Sequence, residues 1–294
     1  MKTTILSSVP GLWNRLPLIL RAIISGCAVS SAGVFTWGAM LAVLPAPWAI
    51  LPMIAALWVF WKFFSGNWGS GARAKTREYN FRSTKLSPPV WKWGLAAAAF
   101  FVIIVQSSFV ITFRLIQFPA AKFMADYKVI DTFPVWVAWA IIIMSSVVAA
   151  IAEEAGFRGY MQTPIEKKYG AGTAIIITSL IFTLIHLTHT WAFPIWPHIF
   201  FASVLLGMLA YKTGSLIPGI IGHAILDIFD YSFWWSDLTG GFQKQTIFAT
   251  GIDLHFIVWV LVFILSVLGF LRAIRKLNAG CKNAYLVIKP AAAI

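Results

Sequence analysis

Three short stretches of this sequence set carboxylates and imidazoles inside apolar runs, where an ionisable group is costly and is by default a candidate for function. The first is Ala152-Glu153-Glu154-Ala155-Gly156-Phe157-Arg158-Gly159. On a helix Glu154 and Arg158 stand four residues apart on one face, so they can pair. Glu153 points about 100° away and lacks that partner. A carboxylate without a counter-charge in an apolar setting suits general-base chemistry. The competing reading is that both glutamates end a helix at the cytoplasmic surface and are solvated. The second stretch runs from Phe182 to His186, with His189 one turn further on. A lone histidine in an apolar helix is more often a satisfied core residue than a catalyst, and His189 reads as a cap of the span or an interfacial group. The third is Gly222-His223-Ala224-Ile225-Leu226-Asp227. His223 and Asp227 share a helical face and can hydrogen-bond, the carboxylate fixing the tautomer of the imidazole. The bland alternative is a polar pair that glues helices together. His198, after Trp196-Pro197, and His255 fall at outer span boundaries and read as interfacial, without chemistry.

These groups lie on three separate apolar segments, so a helix bundle must bring them together. The composition demands such a bundle. The 294 residues are 60% apolar and only 11% charged, with a mean hydropathy of +0.81. A soluble domain is about 45–50% apolar and about 25% charged, so this chain has too little charge to coat a soluble surface. Disorder is excluded by the hydrophobicity. A disulfide scaffold is excluded by the two cysteines, Cys27 and Cys281, neither of which has a neighbour at metal-ligand spacing. Eight apolar stretches stand at roughly 19–44, 46–64, 93–113, 134–157, 172–190, 195–211, 214–234 and 253–271. The expected fold is therefore all-α: a bundle of about eight transmembrane helices. The first stretch is too long for the apolar region of a signal peptide and reads as a retained span. Segment 62–92 reads as a polar, basic loop. Tryptophans gather near span ends, at Trp48, Trp61, Trp91, Trp93, Trp136, Trp191, Trp196, Trp234 and Trp235, as an aromatic belt requires.

The net charge of +13 fits nucleic acid or membrane topology, and the position of the charges separates the two. With the N-terminus in the cytoplasm and alternating sides, 19 of the 23 lysines and arginines fall inside. Arg114, Lys122, Lys128 and Lys244 fall outside. This asymmetry supports an even number of spans with both termini cytoplasmic, and it removes most of the motive for a nucleic-acid partner. The basic loop can still touch anionic lipid. Glu, His, His and Asp in three spans suit water activation better than ion selection, which favours rings of like residues.

With these motifs in place, the sequence resembles the CPBP family of intramembrane proteases, also called CAAX prenyl protease 2 or Abi. The pattern EExxxR appears as Glu153-Glu154-Ala155-Gly156-Phe157-Arg158, followed by Gly159, Tyr160 and Gln162. The pattern FxxxH appears as Phe182 to His186, and HxxxN/D as His223 to Asp227. Gly207 and Tyr211–Pro218 also resemble the family, and the likeness covers roughly residues 135–235. The resemblance implies eight membrane helices and a glutamate-dependent endopeptidase acting on membrane-associated or lipidated chains. It implies Glu153 and His186 as the pair that activates water, Glu154 and Arg158 as structural support, and His223 and Asp227 at the oxyanion. An ionised Asp227 accepts hydrogen bonds only and would repel an oxyanion, so His223 is expected as the donor with Asp227 orienting it; a protonated Asp227 is the alternative.

The resemblance implies no cofactor, although Glu, His and Asp are also zinc donors and the sequence has no HExxH. The implied organisation is an N-terminal membrane region over 1–133, a protease core over 134–235, and a last span with a basic tail over 236–294. The expected location is a bacterial plasma membrane. Competing readings are a non-catalytic scaffold or bacteriocin-immunity protein on the same fold, and a transporter, for which no internal repeat is found.

Overall fold

The computed structural model describes residues 13–82, 85–125, 130–189, 191–236 and 244–287. Among them there is no strand, and each of the eight apolar stretches carries a helix. These are α1 (Leu18–Val43) and α2 (Ile50–Phe64), then α3 (Ala72–Phe81) and α4 (Pro88–Leu115). Next come α5 (Val135–Glu153), a π-helical segment (Glu154–Met161) and α6 (Gln162–Tyr169), continuous with one another. They are followed by α7 (Ala171–His186), α8 (Trp196–Thr213), α9 (Ile217–Ser236) and α10 (Leu254–Val287). The chain is an all-α membrane bundle. Among the described residues, five helical stretches are long and apolar enough to cross a bilayer unaided. The helices α2 and α7 are apolar but shorter, and α9 carries the polar residues of the third motif.

The sequence marks the helix ends. Prolines open α4, α5 and α8, where a missing N–H is no loss. The break between α6 and α7 is Gly170 at φ 85°, and Gly214 ends α8 at φ 64°, both backbone conformations that favour glycine. Segment 62–92 departs from the expected loop, because it folds over Ala72–Phe81 as α3. Arg77 donates to the carbonyls of Phe63 and Trp68, and Phe81 is buried edge-on against Trp61.

Small residues let α1 approach the centre of the bundle. A Cβ on Gly26 would stand 2.7 Å from Met161 Cβ and 2.8 Å from the Gly156 carbonyl, and one on Gly33 would stand 2.5 Å from Ala152 Cβ. A Cβ on Gly156 would meet the Gly26 carbonyl at 2.5 Å. Membrane helices pack by such close backbone contact because lipid gives no hydrophobic drive between them. The seam of Gly26, Ser30 and Gly33 thus clamps the segment that carries the two glutamates.

Polar contacts collect at the two ends of the bundle. At one end Arg82 pairs with Glu166 at 2.7 Å and donates to Thr163, while Tyr160 donates to the Phe64 carbonyl. At the other end Arg114 grips Asp253 through two 3.0 Å bonds and also donates to Thr250. There Thr112 meets His198 at 2.9 Å. Segments assigned to one side by alternation therefore lie together.

Candidate active site

The fourth span does not end at the glutamates, as the 134–157 boundary implied. Helix continues to Tyr169, so Glu153 is mid-helix. This gives the motifs a common level. Glu153 lies 17 residues before Gly170 and His186 lies 16 after it, so the two arms of the α6–α7 hairpin bring them to matching height. Gly159 packs against Leu216; Glu153 is six residues back from one and His223 seven on from the other.

The π turn separates the fates of the two glutamates. π segments are rare and frequently sit at functional sites. Glu154 and Arg158 are fully buried and pair at 2.9 Å, so neither glutamate is a solvated helix end in the sense of the surface reading. Arg158 also donates to Ser203 Oγ at 2.9 Å, and its guanidinium lies 4.5 Å from the Phe182 ring centre. The side chain of Glu153 instead faces a cavity of about 640 Å³.

Glu153, His186, His223 and Asp227 all line that cavity. The carbonyl of Phe182 accepts from His186 Nδ1 at 2.8 Å, which leaves Nε2 as the lone-pair nitrogen of the neutral ring. His223 Nδ1 donates to Glu154 Oε1 at 2.9 Å. Its Nε2 stands 3.8 Å from Glu153 Oε2 and 3.6 Å from Asp227 Oδ1. The expected hydrogen bond from His223 to Asp227 is therefore not made; Glu154 holds the ring. The reason is positional: Glu154 already pairs with Nδ1, so Asp227, one turn along α9, meets the far nitrogen beyond hydrogen-bond range.

Several neighbours were not legible as site residues. Asp230 lines the cavity one turn beyond Asp227 and accepts a hydrogen bond from Gln106 of α4. Its spacing of three from Asp227 in the same span was the available signal. His198, read as interfacial, lies in the cavity wall, bonded with Thr112 and stacked on Phe109 at 4.8 Å, because α8 begins beside the cavity mouth. His189 and Trp191 also line the wall and stack on one another. His255 reaches Arg114 and Trp259, away from the cavity. The Tyr211–Pro218 stretch is a turn: Thr213 donates to the Leu209 carbonyl and Ser215 Oγ accepts from the Ile217 N–H. Gln162 donates to the Gly207 carbonyl. The side chains of Trp234, Trp235 and Cys281 lie outside the described residues. Among the described residues no three His, Cys, Asp or Glu side chains are grouped as a metal site.

In comparison with known proteins, residues 134–229 match the family described as type II CAAX prenyl endopeptidase, Rce1-like. No curated protein and no solved structure matches the chain.

Proposed function

We propose that this chain, which over residues 134–229 belongs to the Rce1-like CAAX protease (CPBP) family, a family of proteases, is an intramembrane endopeptidase that cuts membrane-associated or lipidated chains with water activated by Glu153 and His186. The observation that carries the reading is the one cavity shared by Glu153, His186, His223 and Asp227 above the buried Glu154–Arg158 ion pair. A water between the Glu153 carboxylate and His186 Nε2 gives its proton to Glu153 and attacks the scissile carbonyl carbon. The oxyanion forms at His223 Nε2, which donates while Nδ1 remains held by Glu154. Asp227 lies close enough to Nε2 to support its charge without a hydrogen bond. Collapse of the tetrahedral intermediate breaks the C–N bond, and Glu153 returns the proton to the leaving amine. The products are a carboxylate and an amine, and no step passes through a metal.

The charge asymmetry supports a plasma-membrane protein with both termini cytoplasmic. Its partners are membrane lipid and the substrate chain. The test compares membrane proteomes of cells making the native chain, Glu153→Ala or His186→Ala. Fragments that depend on both residues are expected, and fragments unaffected by either change would sink the reading. Asp227→Asn divides the labour at the oxyanion: loss of cleavage assigns Asp227 the support of His223, whereas retained or improved cleavage makes it a donor. Activity that a membrane-permeant chelator abolishes and zinc restores would overturn the metal-free step.

A further inference from the structure

We propose that the chain to be cut reaches Glu153 from the membrane face opposite the basic loops, the extracytoplasmic face. The substrates are then membrane-associated chains whose scissile bond lies in the outer half of the bilayer or just beyond it, rather than lipidated C-termini presented from the cytoplasm. The substrate part rests on the peptidase reading; the route rests on geometry and charge alone.

On α1, α4, α5 and α9 the cavity extends in one direction from the level of Glu153, while Phe182 of α7 and Leu206 of α8, both buried, line it beside the floor. On α5 the lining residues Ser145, Val148 and Ala149 all precede Glu153, toward Val135. On α9 they all follow His223, through Asp227 and Asp230 toward Ser236. On α1 Val34, Trp37 and Leu41 follow the glycine seam, and on α4 Val105 and Phe109 lead toward Leu115. The α7–α8 connection, with His189 and Trp191, borders that end. In the other direction the path is closed. Glu154, Arg158 and Ser203 form a floor with almost no accessible surface, and Met161 and Ile165 are buried one turn and two turns beneath it.

The closed end is the basic one. It holds the Arg82–Glu166 and Tyr160–Phe64 contacts, and by alternation of the spans it is the side to which the sequence assigns 19 of the 23 lysines and arginines. A bias of that size places the floor on the cytoplasmic side and the cavity on the other. A cytoplasmic chain would have to displace a buried ion pair to reach Glu153. A chain from the outer side meets an apolar wall followed by the carboxylates and imidazoles.

Thiol accessibility of the full chain in a bacterial plasma membrane tests the route. In a Cys27→Ala, Cys281→Ala background, single cysteines are placed at the mouth (Phe193→Cys, a 70% exposed position), inside the cavity (Ala149→Cys and Leu41→Cys) and on the basic face (Lys75→Cys). A membrane-impermeant sulfonate thiol reagent is applied to spheroplasts and to sealed inside-out vesicles. The expected result is labelling of the mouth and cavity positions in spheroplasts with loss in inverted vesicles, and the reverse for Lys75→Cys. Cavity cysteines that react only in inverted vesicles, or from neither side, overturn the proposal, as does a Phe193→Cys that labels with Lys75→Cys. The labelling uses no catalysis. A chain with the expected labelling but no Glu153-dependent fragments loses the peptidase reading and keeps the route.

Discussion

Glu153 and Glu154 are the same side chain at adjacent positions, yet they belong to two different regions. Glu154 belongs to the floor, where Arg158 and His223 saturate one of its oxygens and solvent exposure is 0%. Glu153 belongs to the cavity wall, 16% exposed, with His223 Nε2 at 3.8 Å, beyond hydrogen-bond range. A buried charge is tolerable when paired and hydrogen-bonded, whereas one left facing a cavity is available to substrate and water. The difference comes from a rotation of about 100° per residue, at the point where α-helix passes into the π segment.

The sharpest way to break this comparison is to neutralise each glutamate in turn. Glu153→Gln is expected to lower cleavage by about 10²–10⁴-fold, the usual range for a general base, with no change in thermal stability in detergent. Glu154→Gln is expected to lower stability, because Arg158 then lacks its counter-charge. If the stability loss follows Glu153 instead, the assignment of the two regions is reversed. Next in size is Arg158→Met. It strands the Glu154 carboxylate in a closed site, and losing one partner of a buried pair costs about 3–5 kcal/mol. Thermal unfolding of the purified chain reads this directly. The double variant Glu154→Leu/Arg158→Met is expected to recover much of the loss, since a packed apolar replacement needs no counter-charge.

The floor was legible in the sequence and the cavity only in part, for a physical reason. Pairing at i,i+4, as between Glu154 and Arg158, is a local property that spacing alone implies. The eight apolar stretches are likewise local, and each carries a helix. The common level of Glu153, His186 and His223 is not local. It depends on where the fourth helix stops, and Glu166, Lys167 and Lys168 masked a helix that continues to Tyr169 beyond the apolar run. The hydrogen bond from His223 to Glu154 rather than to Asp227 depends on how α9 rotates against α5, which no single-helix pattern records. Gln106, Ser203 and Asp230 join the site from three helices, and only Asp230 had a spacing signal.

The comparison also depends on α1, which lies outside the matched family segment yet clamps it. Gly26→Val would push a side chain into Met161 Cβ at 2.7 Å and into the backbone carbonyl of Gly156 at 2.8 Å. Backbone cannot yield as a flexible side chain can, so a loss of about 1–3 kcal/mol is expected from overpacking. Because the clamp sets the π segment's position, cleavage should fall with stability. A seam variant that lost stability but kept full turnover per folded molecule would free Glu153 from α1. Gly38→Ala, with no atom within 4 Å of the added Cβ, is the matched control on the same helix.

The smallest effect belongs to the outer end, where Arg114 clasps Asp253 far from either glutamate. The hydrogen bonds from Arg114, and then the one from the Phe256 N–H, hold the Asp253 carboxyl down to about 2. A carboxyl lowered on folding stabilises the folded chain above its ordinary range and ceases to do so as pH falls through the lowered value. The clasp's contribution is therefore complete at neutral pH and is lost between about 4 and 2. Asp253 faces solvent, so the contribution is small and screened by salt. Melting temperatures of the native chain and Asp253→Asn, followed from neutral pH down to the acid limit, should differ slightly at the start and converge in that window. A difference that persists unchanged below it would assign the clasp's contribution to packing of Arg114 and Thr250 rather than to the carboxylate.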